Sequence, residues 1–343
     1  MIKVFNPEAF IDVRYDWFEN NTDFQPTTDI NEVLSQPIKI ACLPIFFNVS
    51  RTNYLRQAIP DDIIDRFDLL LLSDIEYFSM TEILQWITKS NIKNYCLAKG
   101  SYKEVDINNV IYRPWWAFNL MDRNQYVDTS KSGKPFLFDA LLGSSRPHRS
   151  TVMNRFFSAT SLLEKSIVTY RKTIFDVWGH RSDLTEDYIS PNLNPEWEVS
   201  EKLDNSISDQ MPWKIYEQTY YTVVTETLGA DTFFWSEKMT KPLLSQRLFI
   251  HVGAAGFLSK LHSFGFKTFD SIIDESYDQI TNNKDRWNRA IDQIEFLATL
   301  DPAKVLAKTE DIRRHNYNRL LEFRKEIKTQ MLEMVYNKIK EIK

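Results

Sequence analysis

FDLLLLSDIEYFSMTEILQWITKSNIKNYCLAKG, residues 67–100, sets the fold class. Residues 67–72 are an apolar run bounded by Ser73 and Asp74, the pattern of a strand buried on both faces of a parallel sheet. Ile83, Leu84 and Ile87 then recur on one helical face, and residues 95–98 form a second strand closed by Gly100. Strand, helix and strand within about 30 residues make the βαβ unit of a doubly wound sheet. Before this unit, residues 38–47 (IKIACLPIFF) read as another buried strand; after it, Val110, Ile111 and Tyr112 begin a short one that Pro114 closes. Residues 1–120 are therefore expected to form one Rossmann-like α/β domain.

Residues 121–135 carry Asp122, Asn124, Ser130, Ser132 and Gly133, which suits a linker. The pattern restarts at Phe136. FLFDALLG (136–143) is a strand, SSRPHR (144–149) a polar turn, and Val152, Phe156 and Leu163 mark the apolar face of the helix that follows. Strands are expected at 167–170, 221–225 and 249–252, with a loop at 180–212 holding Pro191, Pro195 and Pro212. This gives a second Rossmann-like domain over 136–282. From residue 283 to 343 the composition turns to that of long helices, with Asp301 and Pro302 as N-cap and first-turn residue. Along the last helix Ile312, Asn316, Leu320, Phe323, Ile327, Met331 and Met334 step by three or four, a stripe that either packs on the core or meets a partner.

Across all 343 residues, 43% hydrophobic and 26% charged is a globular balance, and a net charge of -5 offers no long-range attraction for nucleic acid. A phosphate ligand, if there is one, is expected to be small. Two cysteines, Cys42 and Cys96, lie inside apolar runs, which points to a reducing compartment rather than a disulfide framework. The opening MIKVFNPEAF lacks a basic region followed by an apolar stretch, and no apolar run reaches the roughly 18 residues of a membrane span. A cytoplasmic protein is expected. No Asp-x-Asp pair and no spaced set of His, Cys and carboxylates suggests a metal, and neither a GxGxxG turn nor a GxxxxGK[ST] loop occurs. No bound cofactor is expected.

The densest chemical signal lies in residues 212–278. A strand ends at Thr225 and Glu226, about ten residues follow, and Ser236, Glu237 and Lys238 open a helix. Ligands of open α/β sheets bind beyond the carboxyl ends of strands, where helix starts offer N–H groups to phosphate. Lys238 would add a full charge to stabilise a diphosphate leaving group, and Glu226 and Glu237 would hold hydroxyls. Ser-Glu-Lys alone also describes an N-cap followed by two solvated residues. Four of the 8 glycines fall between Gly229 and Gly265, concentrating backbone freedom there. Arg146 and Arg149, three apart at the other helix entrance, fit either a diphosphate clamp or a solvated basic turn, and His148 either a structural or a catalytic role. Asp74 and Glu76, just past LLLLS, are candidate bases or helix caps. Trp115 and Trp116, with Phe118, stack on an acceptor sugar or fill a core.

Thr225-Glu226, then Ser236-Glu237-Lys238, Pro242 and a strand leading to Gly253, resembles the donor-binding motif of the α1,3-fucosyltransferase family. GFKTFDSIIDESYD (265–278) is similar to a branch of glycosyltransferase-like proteins of phages and large viruses. The likeness is strong over about a fifth of the chain. Thr227 departs from the family's asparagine and serine pair, and Ser236 stands where the family has threonine. The resemblance implies a GT-B enzyme of two Rossmann-like domains, with the acceptor in the first, the nucleotide sugar in the second and reaction in the cleft. It further implies inverting, metal-independent transfer to an acceptor hydroxyl, with Arg149, or next Arg146, as the arginine on the diphosphate. The rivals are a GT-B-fold protein that binds carbohydrate or nucleotide without transfer, and another nucleotide-using α/β enzyme whose cofactor loop is not found. Donor base, sugar, acceptor and oligomeric state stay open.

Overall fold

The computed structural model describes residues 1–6, 17–18, 21–45, 64–74, 80–102, 109–124, 126–127, 129, 133–171, 188–193, 210–229 and 232–343. The chain forms two compact units, Met1–Trp115 with Arg324–Lys343, and Trp116–Phe323.

In the first unit six parallel strands, β1 (Ile2–Phe5), β2 (Phe24–Thr27), β3 (Ile40–Ile45), β4 (Leu69–Asp74), β5 (Tyr95–Lys99) and β6 (Val110–Tyr112), lie in the order β2-β1-β3-β4-β5-β6. This is the doubly wound order whose reversal falls between the first and third strands. Strand β4 is buried at every position: residues 69–72 as an apolar run, and the polar Ser73 and Asp74 at its carboxyl end. Leu70, Leu72 and Leu97 from the sheet meet Ile83 and Ile87 from helix α2 (Met80–Lys89). Strands β1 and β2 and the short helix α1 (Ile30–Leu34) were not expected from the sequence. Both strands have four residues, too few for a period to show, and β2 carries Pro26, which the sheet tolerates because β2 is an edge.

In the second unit β7 (Phe136–Ser144), β8 (Ser166–Arg171), β9 (Tyr188–Ile189), β10 (Thr219–Val224) and β11 (Leu248–His251) lie in the order β9-β8-β7-β10-β11. All pairs are parallel except the edge pair β8 with β9. Counted within the unit this is 3-2-1-4-5, the Rossmann order. Both units are thus Rossmann-like.

Several boundaries differ from the sequence reading. Residues 121–123 end a helix, α3 (Trp115–Arg123), and residues 116–135 belong to the second unit rather than standing between two domains. Pro147, His148 and Arg149 are the first turn of helix α4 (Pro147–Ser158), and Ala159 separates it from α5 (Thr160–Glu164), where Leu162 rather than Leu163 is buried. The loop expected at 180–212 lies mostly outside the described residues.

Helix α6 (Trp213–Gln218) precedes β10, α7 (Glu237–Leu244) and α8 (Phe257–Ser263) flank β11, and α9 (Asn283–Leu297) and α10 (Pro302–Ile342) close the chain. These last helices are not a separate part: residues up to 323 belong to the second unit and the rest to the first. The α10 stripe is core in both. Asn316, Leu320, Phe323, Ile327, Met331, Val335 and Ile339 are buried, so Val335 takes the place expected of half-buried Met334. Asn316 is accommodated because its amide exchanges two 2.8 Å hydrogen bonds with the backbone of Lys267. Asp301 accepts from the N–H of Ala303 at 2.9 Å, the cap the sequence indicated. Cys42 and Cys96 are buried thiols that are not joined in a disulfide. Among the described residues no helix is long and apolar enough to cross a membrane.

Candidate functional site

The topology of the second sheet points to one place. Strand β7 comes first, β8 and β9 extend the sheet to one side, and β10 returns on the other, so the switch point lies between β7 and β10. A crevice for ligands opens beyond the carboxyl ends of such a strand pair. There β7 runs through a bulge at residues 141–144, in which Gly143 takes φ +61°, into Ser145, Arg146 and the start of α4. Strand β10 runs into Thr225, Glu226 and Thr227.

Of the donor-side residues named from the sequence, His148, Arg149, Ser236 and Lys238 converge on that three-residue segment. Arg149, 3% exposed, donates to the carbonyls of Ser144 (2.8 Å), Thr225 (3.3 Å) and Glu226 (3.2 Å), bridging the ends of β7 and β10. His148 Nε2 lies 2.9 Å from the Glu226 carbonyl oxygen. The Glu226 carboxylate accepts from the N–H of Ser236 at 3.0 Å and from its hydroxyl. Ser236 in turn caps α7, accepting from the N–H of Lys238 at 3.2 Å. Lys238 Nζ reaches Glu237 Oε1 at 2.5 Å and Thr227 Oγ1 at 3.4 Å. Arg146 occupies the N-cap of α4 and is 8% exposed; no side chain caps that helix, and Pro147 at its start has no N–H to satisfy.

Two layers result. Arg149, His148, Glu226 and Ser236 are buried and hold the main chain, whereas Lys238, with 26% of its side chain exposed, and half-buried Thr227 face outward. Burial keeps His148 uncharged, its pKa well below the usual imidazole value, and the neighbouring Arg149 charge adds to this. Burial also raises Glu226, against the pull of Lys238. Burial acts the same way on Glu237, but the charges of Lys238 and Lys241 outweigh it and hold that carboxyl below its ordinary range.

Arg286 and Trp287, on α9, were not singled out from the sequence. Arg286 donates from Nε to the Gly253 carbonyl at 2.8 Å, and Trp287 Nε1 lies 3.1 Å from the carbonyls of both Gly229 and Gly253. An Arg-Trp pair inside a helix carries no local pattern that separates it from a core aromatic beside a solvated charge. The glycines just past β10 and β11 were the available clue.

In the first unit Asp74 ends β4 with its side chain fully buried, 3.1 Å from Lys99 at the end of β5. A carboxylate so enclosed and paired fits a structural ion pair better than a base open to a substrate hydroxyl. Glu76 lies outside the described residues, as do the side chains of Trp115 and Trp116. Among the described residues no group of three or more His, Cys, Asp or Glu is placed to hold a metal ion.

No protein-family model matches this sequence, and a search of curated proteins gives no match. Solved structures similar to it include two α1,3-fucosyltransferases. One is an α1,3-fucosyltransferase with GDP, at 12% identity over 96% of this chain and 90% of that one, with a TM-score of 0.41. The other is also an α1,3-fucosyltransferase, at 13% identity over 80% and 89% of the two chains, with a TM-score of 0.28. Likeness of this degree carries no argument about chemistry, which rests on the chain's own residues.

Proposed function

We propose that the second unit binds the diphosphate of a nucleotide sugar beyond the carboxyl ends of β7 and β10, and that the protein transfers the sugar to an acceptor hydroxyl. The observation that carries this reading is that Arg149 and Lys238, from separate helices, both reach the segment 225–227 at the switch point. The α4 start, Arg146 and Lys238 meet the phosphates. Arg149, His148, Glu226, Ser236 and Thr225 shape the crevice, and Glu237 accepts from donor hydroxyls.

In the reaction the acceptor oxygen bonds to the anomeric carbon as the bond to the diphosphate oxygen breaks. The electron pair leaves on the diphosphate, and a base takes the hydroxyl proton. Positive charge fixed beside the departing diphosphate lowers that barrier without a metal. Inversion is proposed from the resemblance to the α1,3-fucosyltransferase family, and Glu76 as the base and Trp115 and Trp116 as acceptor contacts from their places in the sequence; Asp74 is the weaker candidate because Lys99 already holds it.

Thermal unfolding with GDP, UDP, CDP and dTDP, in wild type and Lys238→Ala, tests the proposal. At 100 times the dissociation constant a ligand stabilises the fold by about 2.7 kcal/mol, so at least one nucleotide should raise the midpoint by several degrees in wild type and much less in the variant. Stabilisation without release of nucleotide from any nucleotide sugar would identify a binding protein. No response to any of the four would remove the donor site.

A further inference from the structure

We infer that Arg286 and Trp287 are positioning residues of this site, fixing from α9 the two glycine-ended segments that follow β10 and β11. The inference rests on the donor reading above and adds to it the element that sets the crevice's shape. The indole N–H of Trp287 is shared between the carbonyls of Gly229 and Gly253, 3.1 Å from each. The Arg286 guanidinium spans the same two oxygens, at 3.4 Å from Nη2 and 2.8 Å from Nε. It also holds the Ile280 carbonyl at 2.6 Å, which fixes the approach to α9. Arg286 is 2% exposed, so these bonds form in a medium where each counts for more than at the surface.

The opposite side of each glycine is fixed as well. A Cβ at Gly229 would lie 2.2 Å from Nδ1 of His148, and one at Gly253 would lie 2.5 Å from Cε1 of His251. Each glycine therefore sits between an imidazole at its α-carbon and the α9 donors at its carbonyl. His148 closes the circuit: its ring lies 5.7 Å from that of Trp287, and its Nε2 reaches the Glu226 carbonyl. A shift of α9 is thus passed to Glu226, to Ser236 and to the start of α7, which carries Lys238. A leucine and a phenylalanine would fill the same volume, but would not register two loops from two strands against one helix.

The test uses Trp287→Phe, which keeps the ring beside His148 and removes the N–H, and Arg286→Lys, which keeps the charge and loses the fork. Native-state amide exchange of the free protein is measured alongside binding of inorganic pyrophosphate by calorimetry. Exchange at residues 226–229 and 252–256 should accelerate about tenfold in Trp287→Phe, with residues 302–323 unchanged, and pyrophosphate affinity should fall about fivefold or more in both variants. Unchanged exchange in the two segments, acceleration spread evenly over the unit, or altered exchange with wild-type pyrophosphate affinity would each overturn the positioning role. Failure of the wild type to bind pyrophosphate counts against the donor reading itself, while the exchange pattern still decides whether α9 holds the two loops.

Discussion

The two ends of the second sheet each bury an arginine, and the two arginines do different work. At the amino end Arg247 closes on the carboxylate of Asp139 at 2.6 Å, and also serves the hydroxyls of Thr219 and Thr222 and the carbonyls of Tyr216 and Thr219. Asp139 accepts from both threonine hydroxyls as well, so donors and acceptors of opposite charge cancel locally. At the carboxyl end Arg149 spans carbonyls from two strands, and His148, Arg286 and Trp287 also aim at carbonyls. A carbonyl carries a partial charge and a carboxylate a full one, so the buried cations Arg149 and Arg286 at the carboxyl end shape backbone, while the outer Lys238 is paired with Glu237. One end closes a charge pair and the other holds loops, beside an anion on the donor reading proposed above.

Breaking the amino end should have the largest effect. Asp139→Ala strands the Arg247 charge in the interior and should cost about 3–5 kcal/mol, read as a lower urea midpoint for the second unit. A loss below about 1 kcal/mol would mean that the pair is not the sheet's anchor. The carboxyl end has a pH signature of smaller size. Burial first, and then the Arg286 charge, lowers the His251 pKa from 6.5 to about 3. Between those values the unfolded chain takes up a proton that the folded chain refuses, so stability falls as pH drops through 6.5. His251→Phe should remove that contribution, reducing the loss of stability per pH unit between pH 5 and 6 by up to about 1.4 kcal/mol. Equal slopes in the two proteins would show that His251 titrates normally.

Strands β3, β4, β7, β8, β10 and β11 were legible because parallel strands buried on both faces read as continuous apolar runs. The N-cap at Ser236 and the α10 stripe were legible because caps and helical periods are local. What was hidden is long-range. The pairing of Asp139 with Arg247 joins residues 108 apart, and Trp287 meets Gly229 across 58, so no spacing announces either. Arg149 was singled out as a ligand-gripping side chain; the structure instead has its guanidinium holding the strand ends, because a buried arginine close to strand termini finds carbonyls first. Asp74 was read as a cap or a base for want of any sequence sign that Lys99, one strand over, lies within reach.

The switch point between β7 and β10 is proposed to receive a diphosphate. A crystal structure grown with GDP or UDP, whichever raises the unfolding midpoint further, tests it most directly. Phosphate oxygens are expected within hydrogen-bonding distance of Lys238 Nζ and of the first turn of α4 beside Arg146. Phosphates bound in the first unit, or anywhere in the second away from residues 144–149 and 225–238, would contradict it.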